Sequence, residues 1–320
     1  MNLQTTIMIA AYNAARFLPK SIASARAQTG LTPEILVVDD ASSDETPQIM
    51  RDFPDVRYIQ MPQNGGPSVA RNRAIEAATG DWIAVLDADD DMVPGRLSTM
   101  LDHAVTADAD IVLGNFTRVD IHGVPVNGGV FLTPSEVDPL HHLTLEDYLA
   151  SNQMTAGEKC LGYLKPLFRR EYLMETGLRY DPALRNSEDY HIIAAAIAEG
   201  AKVIISPEPD YLYQQAEGSL SATVPPKYIE ALLAADAEFA TKVLAPGADT
   251  RAEKSTERLA QMIDIRRTHL ETLMAAEVVM TQLKNRQIIA AGKLCATNPR
   301  ARKLVMTKLS EAVRKRLPGG

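Results

Sequence analysis

Along the first two thirds of the chain, short apolar runs alternate with longer segments in which apolar residues recur at a helical spacing. Short apolar runs, which are typical of buried strands, lie at 6–11, 35–38, 56–61, 82–86 and 110–116. Between these runs apolar residues recur every three or four positions, which predicts helices at 14–28, 68–78 and 94–107 and a short one near Pro47. This alternation predicts an α/β fold whose mostly parallel sheet carries helices on both faces. Right-handed crossovers would then bring the strand ends at 10–13, 39–40 and 87–89 to one edge of the sheet.

The pattern weakens between 118 and 142, where we expect loops or a small hairpin. It then predicts a helix at 143–151, a strand at 161–168, a helical turn at 170–177, a helix at 187–199 with Ser187 as its cap, and strands at 203–206 and 211–214. After the Pro225-Pro226 break it predicts helices at 228–243, 256–283, 287–295 and 301–317. We therefore divide the chain at 117 and at 224, into 1–117, 118–224 and a helical extension over 225–320.

An acidic stretch follows the strand at 82–86. Of the five positions after Leu86, four carry carboxylates: Asp87, Asp89, Asp90 and Asp91. Carboxylates at this density repel each other unless a cation neutralises them, and Mg²⁺ and Mn²⁺ prefer oxygen ligands of this kind. The carboxyl end of a buried strand is also where open α/β sheets bind ligands. A solvated turn that opens the next helix explains the same residues, so this pattern alone leaves both readings open.

Charge is distributed unevenly along the 320 residues. The net charge is −8, but residues 284–320 hold ten Lys/Arg against Glu311 alone, which gives this tail +9 and leaves −17 for the rest. An acidic body argues against a nucleic-acid partner, whereas the basic tail could meet an anionic surface. Its apolar spacing predicts peripheral contact with a membrane. Packing of the tail back onto the acidic body, or a homodimer contact, are the alternatives.

The cysteines and the N-terminus bear on the compartment. Cys160 and Cys295 are far apart and form neither a disulfide framework nor a zinc spacing, which fits a reducing, cytoplasmic compartment. The first residues lack the pattern of a signal peptide, and no run of eighteen apolar residues predicts a membrane span.

Five segments together carry a resemblance to a known family. They are Ile9–Asn13, Val37–Thr46, Asn64–Arg73, Gly80–Asp90 and Ser187–Tyr190. In their order and spacing the chain resembles the family 2 glycosyltransferases, which are inverting, nucleotide-sugar-dependent enzymes of GT-A fold. Within that family it is similar to bacterial exopolysaccharide sugar transferases of the succinoglycan type. The resemblance implies that 1–117 is the nucleotide-sugar-binding half of a GT-A domain and 118–224 its acceptor-binding half.

The resemblance also implies which residues bind the nucleotide. They are Ala10, Tyr12, Asp40, Asn64, Arg71, Asp87 and Ala88. Tyr12 would flank the base, Asp40 would accept from its ring N–H, and Arg71 would contact a phosphate or the base. A half-buried aromatic at a strand end remains the alternative for Tyr12, and capping of the following turn remains the alternative for Asp39 and Asp40.

Two further roles follow from the same resemblance. Asp87 would bond the ribose or sugar, and Asp89 would coordinate the Mn²⁺ or Mg²⁺ that bridges both phosphates, while Asp90 and Asp91 would only hydrate the rim. Glu188 and Asp189 match the family's acidic pair, with Asp189 as the base that takes the acceptor's proton. Charge stabilisation at a helix N-terminus, about 0.3–1 kcal/mol, is the alternative for both.

The chain departs from the family at two places. Many relatives carry a His in the region that reads Tyr211–Ser219 here, which has none, so a metal would depend more on Asp89 and the phosphates. A QxxRW motif, which processive synthases use, is also missing, and this favours a single addition. We therefore expect an inverting, metal-dependent enzyme that moves a hexose from a UDP-sugar to a saccharide or lipid-linked acceptor in exopolysaccharide or cell-surface polysaccharide biosynthesis.

Three other functions are alternatives to a sugar transferase. A sugar-phosphate nucleotidyltransferase would need a Gly-rich basic loop after the first strand, which Ala11–Ala14 does not supply. A dehydrogenase would need G-x-G-x-x-G at the same place. The non-enzyme rival is a catalytically silent glycosyltransferase-like module that binds saccharide or serves as a scaffold.

Overall fold

A computed structural model describes residues 3–154, 159–215, 225–245 and 253–314 of the chain. These residues form two compact units. The first comprises 3–151 and 159–215, and the second comprises 152–154, 225–245 and 253–314. The boundaries expected at 117 and 224 stay predictions.

Two sheets organise the strands of the first unit. The strands are β1 (Thr5–Ala11), β2 (Glu34–Asp39), β3 (Arg57–Gln60), β4 (Trp82–Val85), β5 (Asp91–Met92), β6 (Ile111–Gly114), β7 (Thr117–Val119), β8 (Pro125–Val130), β9 (Lys165–Arg169), β10 (Val203–Ser206) and β11 (Tyr211–Gln214). The larger sheet has the order β10-β6-β9-β4-β1-β2-β3. Only β9 runs antiparallel to its neighbours in it, so the expected mostly parallel sheet is confirmed.

Helices connect these strands and then form the second unit. In the first unit they are α1 (Leu18–Arg26), α2 (Thr46–Ile49), α3 (Pro67–Ala77), α4 (Arg96–Thr106), α5 (Leu145–Ala150), α6 (Arg170–Thr176) and α7 (Glu188–Ala198). In the second they are α8 (Pro226–Val243), α9 (Glu253–Lys284), α10 (Ile288–Thr297) and α11 (Pro299–Arg314). α3 packs on β1 and β2, α4 on β6 and β10, and α6 on β9.

The order of the central strands positions the functional edge. β4, β1 and β2 are neighbours and run parallel, with Ala11 paired to Asp39 and Met8 to Val85. Their apolar residues are buried, which anchors each strand in the core. The carboxyl ends of these three strands therefore lie at one edge, as expected from the crossovers.

The smaller sheet was only partly anticipated. Its order is β5-β11-β7-β8, and the antiparallel β7–β8 pair confirms the hairpin expected between 118 and 142. β5 was missed because it spans two residues inside the acidic stretch. It pairs antiparallel with β11, and the amide of Val93 donates to the carbonyl of Asp210 beyond it. α4 consequently begins at Arg96, later than the Pro94 that the pattern predicted.

Two helix starts differ from expectation for local reasons. α1 begins at Leu18 instead of Ala14, because the amides of Ala14 and Ala15 donate to Thr46 Oγ1 (3.0 Å) and Asp44 Oδ2 (3.1 Å). Ser187 precedes α7 but has a positive φ of 55°, and its side chain makes no capping hydrogen bond. The cap expected at Ser187 is therefore wrong, although two acids do occupy the first turn of α7.

The second unit is a helical assembly with its own small core. The core residues are Ala276, Val279, Ala291, Ala301 and Val305. α10 and α11 both pack on α9, so part of the basic tail packs within this unit. Over the described helices, none combines the length and the apolar composition needed to cross a membrane.

Candidate active site

The loop after β1 is fixed to the loop after β2. Asn13 has a φ of 50°, and its Oδ1 accepts the amides of Ser43 (2.8 Å) and Asp44 (3.3 Å). Its own amide donates to Ser42 Oγ. This arrangement leaves Tyr12 53% exposed at the edge, which fits both a half-buried aromatic at a strand end and a ring that flanks the base, so both readings stay open.

The two neighbouring carboxylates at the end of β2 have different partners. Asp39 accepts from the amide of Ser42 (2.9 Å) and the hydroxyl of Tyr58 (2.6 Å), so it stabilises the turn. Asp40 is buried, and its two oxygens accept the amides of Gly65 and Gly66, each at 2.7 Å. Each carboxylate oxygen keeps a second lone pair, so base reading by Asp40 stays a prediction.

An arginine that sequence reasoning missed lies over this glycine turn. Arg185 Nη1 donates to Asn64 Oδ1 at 2.8 Å, and Asn64 Nδ2 donates to the carbonyl of Asp40. The guanidinium carbon of Arg185 lies 3.1 Å from the place a Cβ on Gly66 would take, and Gly66 has a φ of +94°. The positive φ favours glycine here, since residues with a Cβ rarely adopt it. The only sequence signal was an Arg three residues before Glu188.

Arg71 gathers three acidic groups, one from the end of β4 and two from α7. It lies on α3 and is only 5 % exposed. Its Nη2 donates to Asp87 Oδ1 (2.8 Å), its Nη1 donates to Glu188 Oε1 (2.5 Å), and the same Nη1 lies 3.5 Å from Asp189 Oδ1. The end of β4 and the first turn of α7 therefore meet on one guanidinium. Its expected contact with a phosphate or base stays a prediction.

Asp87 has a second cationic partner, which sequence reasoning also missed. Lys165, at the start of β9, donates from Nζ to Asp87 Oδ2 at 2.6 Å. Burial would raise the pKa of Asp87, but the charges of Lys165 and Arg71 outweigh it and hold that pKa well below the ordinary range. The available signal was a single Lys inside the apolar run Leu164–Phe168.

Asp89 differs from Asp87 in its surroundings. Its side chain is exposed to solvent, although protein partly surrounds it. The partial loss of water raises the pKa of Asp89 most, and the negative charge of Asp87 raises it further. A divalent cation would relieve this repulsion, so the carboxylate fits the hard oxygen ligand that Mg²⁺ or Mn²⁺ requires. Across the described residues no group of three or more His, Cys, Asp or Glu side chains is arranged to hold a metal by itself.

The other two acids of the stretch turn inward, and the expectation that they only hydrate the rim is wrong. Asp90 is 2 % exposed and accepts the hydroxyl of Tyr211 (2.8 Å) and the amide of Gln214 (2.7 Å). Burial, and then the charges of Asp87 and Asp89, raise its pKa. Asp91 is also buried and pairs with Lys20. The pairing of β5 with β11 draws both residues into the fold.

Glu188 and Asp189 are both buried at the start of α7. Burial raises the pKa of Glu188, and the charge of Arg71 partly offsets this rise. Asp189 Oδ1 is buried and lies 3.5 Å from Arg71 Nη1, and within the described part of the chain it accepts no hydrogen bond. The role of Asp189 as the base that takes the acceptor's proton stays a prediction.

Two smaller residues complete the predicted site. Ala10 lies in β1 and pairs with Val38, while Ala88 is buried between the two acids of the Asp87–Asp89 pair. Their contact with a nucleotide stays a prediction.

Comparison with known proteins gives matches over both halves of the first unit. The model of a family described as glycosyl transferase family 2 matches residues 6–170. The succinoglycan biosynthesis protein ExoO of Rhizobium meliloti is 38% identical over 296 residues, which is 92% of this chain and 81% of that protein. The UDP-Glc:alpha-D-GlcNAc-diphosphoundecaprenol beta-1,3-glucosyltransferase WfaP of Escherichia coli is 34% identical over 42% of this chain and 53% of its own length.

A solved structure shares the fold. The crystal structure of S. aureus TarS 1-349 in complex with UDP-GlcNAc superposes with a TM-score of 0.67 at 21% identity, and covers 96% of this chain and 85% of that one. At this level of identity the likeness concerns the fold, which is the expected GT-A architecture with a helical C-terminal region.

We predict that Arg71 stabilises the fold and that Arg73, two residues along the same helix, does not. Replacing Arg71 with Met leaves the buried acids around it without their shared cation, which should lower the free energy of unfolding by about 3–5 kcal/mol. Arg73 is 44% exposed and pairs only with Glu76, so Arg73→Met should change it by less than about 0.5 kcal/mol. Urea unfolding of both variants measures the difference, and equal losses would contradict the prediction.

Proposed function

The chain belongs to glycosyl transferase family 2, and on that premise we propose that it is an inverting, metal-dependent enzyme that moves a hexose from a UDP-sugar to a saccharide or lipid-linked acceptor. The observation that carries this proposal is the guanidinium of Arg71. It binds Asp87, expected on the donor side, and Glu188, which adjoins the expected base Asp189. The groups expected to bind the donor and to accept the proton therefore lie on either side of one guanidinium.

The nucleotide would lie along the edge formed by β1 and β2. The exposed ring of Tyr12 offers a surface for the base, and Asp40 can accept from a ring N–H with its remaining lone pairs. Asn64 and Arg185 add polar groups at the glycine turn that Asp40 holds. The backbone at Ala10 and Ala88 would line the same edge. UDP as the carrier is supported by TarS, solved with UDP-GlcNAc, and by WfaP, whose name states UDP-Glc.

A divalent cation would be held by Asp89 together with the phosphates of the donor. When bound, Mn²⁺ or Mg²⁺ supplies positive charge to the departing diphosphate. The residues of the chain provide the surroundings for this charge. Asp87 keeps its place through Arg71 and Lys165. Partial desolvation, and then the negative charge of Asp87, raise the pKa of Asp89, and a cation would offset that charge.

Asp189 would act as the base. The acceptor hydroxyl oxygen attacks the anomeric carbon from the face opposite the nucleotide, and the bond from that carbon to the diphosphate oxygen breaks. Positive charge develops on the sugar ring during this exchange, and the hydroxyl proton passes to the carboxylate of Asp189. Glu188 would hold Arg71 beside this carboxylate through the ion pair that the two residues form.

The similarity to ExoO supports a step in exopolysaccharide or cell-surface polysaccharide biosynthesis. The name of WfaP contains a diphosphoundecaprenol-linked acceptor, which supports a lipid-linked acceptor for this chain as well. We propose that the reaction takes place at the cytoplasmic face of a membrane.

The second unit would provide peripheral contact with that membrane. Ile288 and Ile289, at the start of α10, are 70% and 79% exposed, and the neighbouring Lys284, Arg286 and Lys293 are exposed as well. Apolar side chains flanked by cations suit the surface of an anionic bilayer. The alternative of tail packing has support of its own, since Lys308 pairs with Glu277 and α11 packs on α9.

Nucleotide binding should depend on a divalent cation through Asp89. In calorimetry, UDP should bind the wild-type chain more tightly with Mn²⁺ than without it, and Asp89→Ala should remove this difference. Asp55→Ala is the matched control, because Asp55 is an exposed acid that pairs with Arg26 at the surface. A chain that bound no UDP under either condition would be the silent module instead.

Transfer should depend on the charge of Asp189 far more than nucleotide binding does. Asp189→Asn keeps the size of the side chain but cannot accept the proton, so turnover should fall by about 10²–10⁴-fold while UDP affinity stays within a few fold. The exposed Asp102 on α4 provides the control Asp102→Asn, for which we expect unchanged turnover. Measurements with UDP-glucose, UDP-galactose and UDP-GlcNAc would also identify the donor. Wild-type turnover in Asp189→Asn would refute the assignment of the base.

Membrane contact should depend on the two exposed isoleucines of α10. The wild-type chain should co-sediment with vesicles that contain phosphatidylglycerol more than with phosphatidylcholine alone, and less at high salt. Replacing Ile288 and Ile289 together with Ser should lower the bound fraction. Ile265→Ser, at an exposed position of α9, should not. Equal sedimentation of all three proteins would exclude this role for α10.

A further inference from the structure

Lys165 is a buried cation in the interior of the first unit. It begins β9, the antiparallel strand between β4 and β6, and its side chain is only 5% exposed. A buried ammonium group is unfavourable unless an opposite charge and hydrogen bonds offset the loss of water. The surroundings of Lys165 provide that offset at Asp87, the acid that follows β4.

The ammonium group lies between one carboxylate and two aromatic rings. Lys165 Nζ is 2.6 Å from Asp87 Oδ2, and it lies 5.4 Å from the ring centre of Tyr213 and 5.9 Å from that of Tyr211. Ring faces attract a cation and restrict its position without competing for its hydrogen bonds. Burial would lower the pKa of Lys165, but Asp87 and other nearby acids raise it, so the ammonium stays charged.

A second buried side chain, Arg96, binds the backbone of β9 at Lys165. Arg96 is buried, and its Nη2 donates to the carbonyl of Lys165 at 3.4 Å while its Nη1 donates to the carbonyl of Asn115 at 3.1 Å. Gly114 pairs with Lys165 across the sheet, and the Arg96 guanidinium occupies the space that a Cβ on Gly114 would need. The start of β9 is therefore fixed by strand register and by a buried side chain together.

Asp87 is held from three directions as a result. Arg71 binds Oδ1, Lys165 binds Oδ2, and the amide of Asp87 donates to the hydroxyl of Tyr211 at 3.1 Å. That hydroxyl in turn donates to Asp90, so the turn after β4 is fixed as a unit. The Asp87 side chain nevertheless remains 24% exposed, which leaves lone pairs of its carboxylate accessible to a ligand.

We propose that Lys165 is a positioning residue of the donor site, which acts through Asp87 by fixing its carboxylate to receive a hydroxyl of the nucleotide-sugar. Lys165 also offsets the negative charge that Asp87 adds beside Asp89. This inference rests on the proposed function. It differs from a purely structural role, in which Lys165 would only neutralise a buried acid and the donor would be bound equally well without it.

The test compares two substitutions of Lys165 with a matched lysine. Lys165→Met keeps the length of the side chain and removes its charge, whereas Lys165→Arg keeps the charge. With Lys165→Met the KM for the UDP-sugar and the Kd for UDP should rise by about 10–100-fold, as is usual when a supporting partner of a site residue is lost, while kcat changes less. Lys165→Arg should recover part of the affinity. Lys202, an exposed lysine that pairs with Asp108, provides Lys202→Met as the control without effect.

A double-mutant cycle separates action through Asp87 from other routes. Asp87→Asn alone should weaken UDP binding, and adding Lys165→Met to it should cost little more, because the partner of Lys165 is already altered. If Lys165→Met does not fold, the same cycle with Lys165→Arg gives the answer. Additive losses, or wild-type KM and UDP affinity in folded Lys165→Met, would overturn the role of Lys165. A wild-type chain that binds no UDP would instead overturn the proposed function.

Discussion

Two buried cations that share the carboxylate of Asp87 are the constraint on which the rest of the site depends. Arg71 and Lys165 are both almost fully buried, and both bind Asp87, through its two different oxygens. Since a buried charge left without its partner is strongly destabilising, each of these side chains is tied to the position of the others. The strand β4, the strand β9 and the helices α3 and α7 therefore meet with their polar ends in one place. The chemistry expected of a sugar transfer needs this proximity.

The helix that carries Arg71 is itself fixed at several points. Asp40 binds the amides of Gly65 and Gly66 just before α3 begins. Farther along, Ser68 donates to the carbonyl of Leu184, and Asn72 exchanges two hydrogen bonds with the backbone of Tyr180. α3 thus connects the end of β2 to the segment that leads into α7. An Asp at a strand end can in this way position an Arg in the second turn of the following helix, whether or not it also reads a base.

The four aspartates after β4 differ in their surroundings, because the neighbouring strands place them differently. Asp87, Asp89, Asp90 and Asp91 form one dense acidic stretch in the sequence, and their density alone left a cation site and a solvated turn both open. In the fold, Asp87 is neutralised by two cations, Asp89 faces solvent, and Asp90 and Asp91 are drawn inward by β5. Of these four acids, Asp89 is the one whose carboxylate remains exposed and suited to bind a cation. The difference depends on β5, a strand of two residues, which is too short to produce a recognisable alternation of apolar and polar residues.

The sequence by itself determined the layered α/β fold, the parallel order of the strand ends and the family, because apolar periodicity and short motifs are local properties of the chain. It also indicated that the acids at those ends belong to one site. Only the tertiary structure decided which groups touch. Arg71 and Glu188 are 117 residues apart and Lys165 and Asp87 are 78 apart, and nothing local specifies either pair. Such pairs are selected by the register of distant elements and by the free-energy cost of leaving a charge unpaired in the interior.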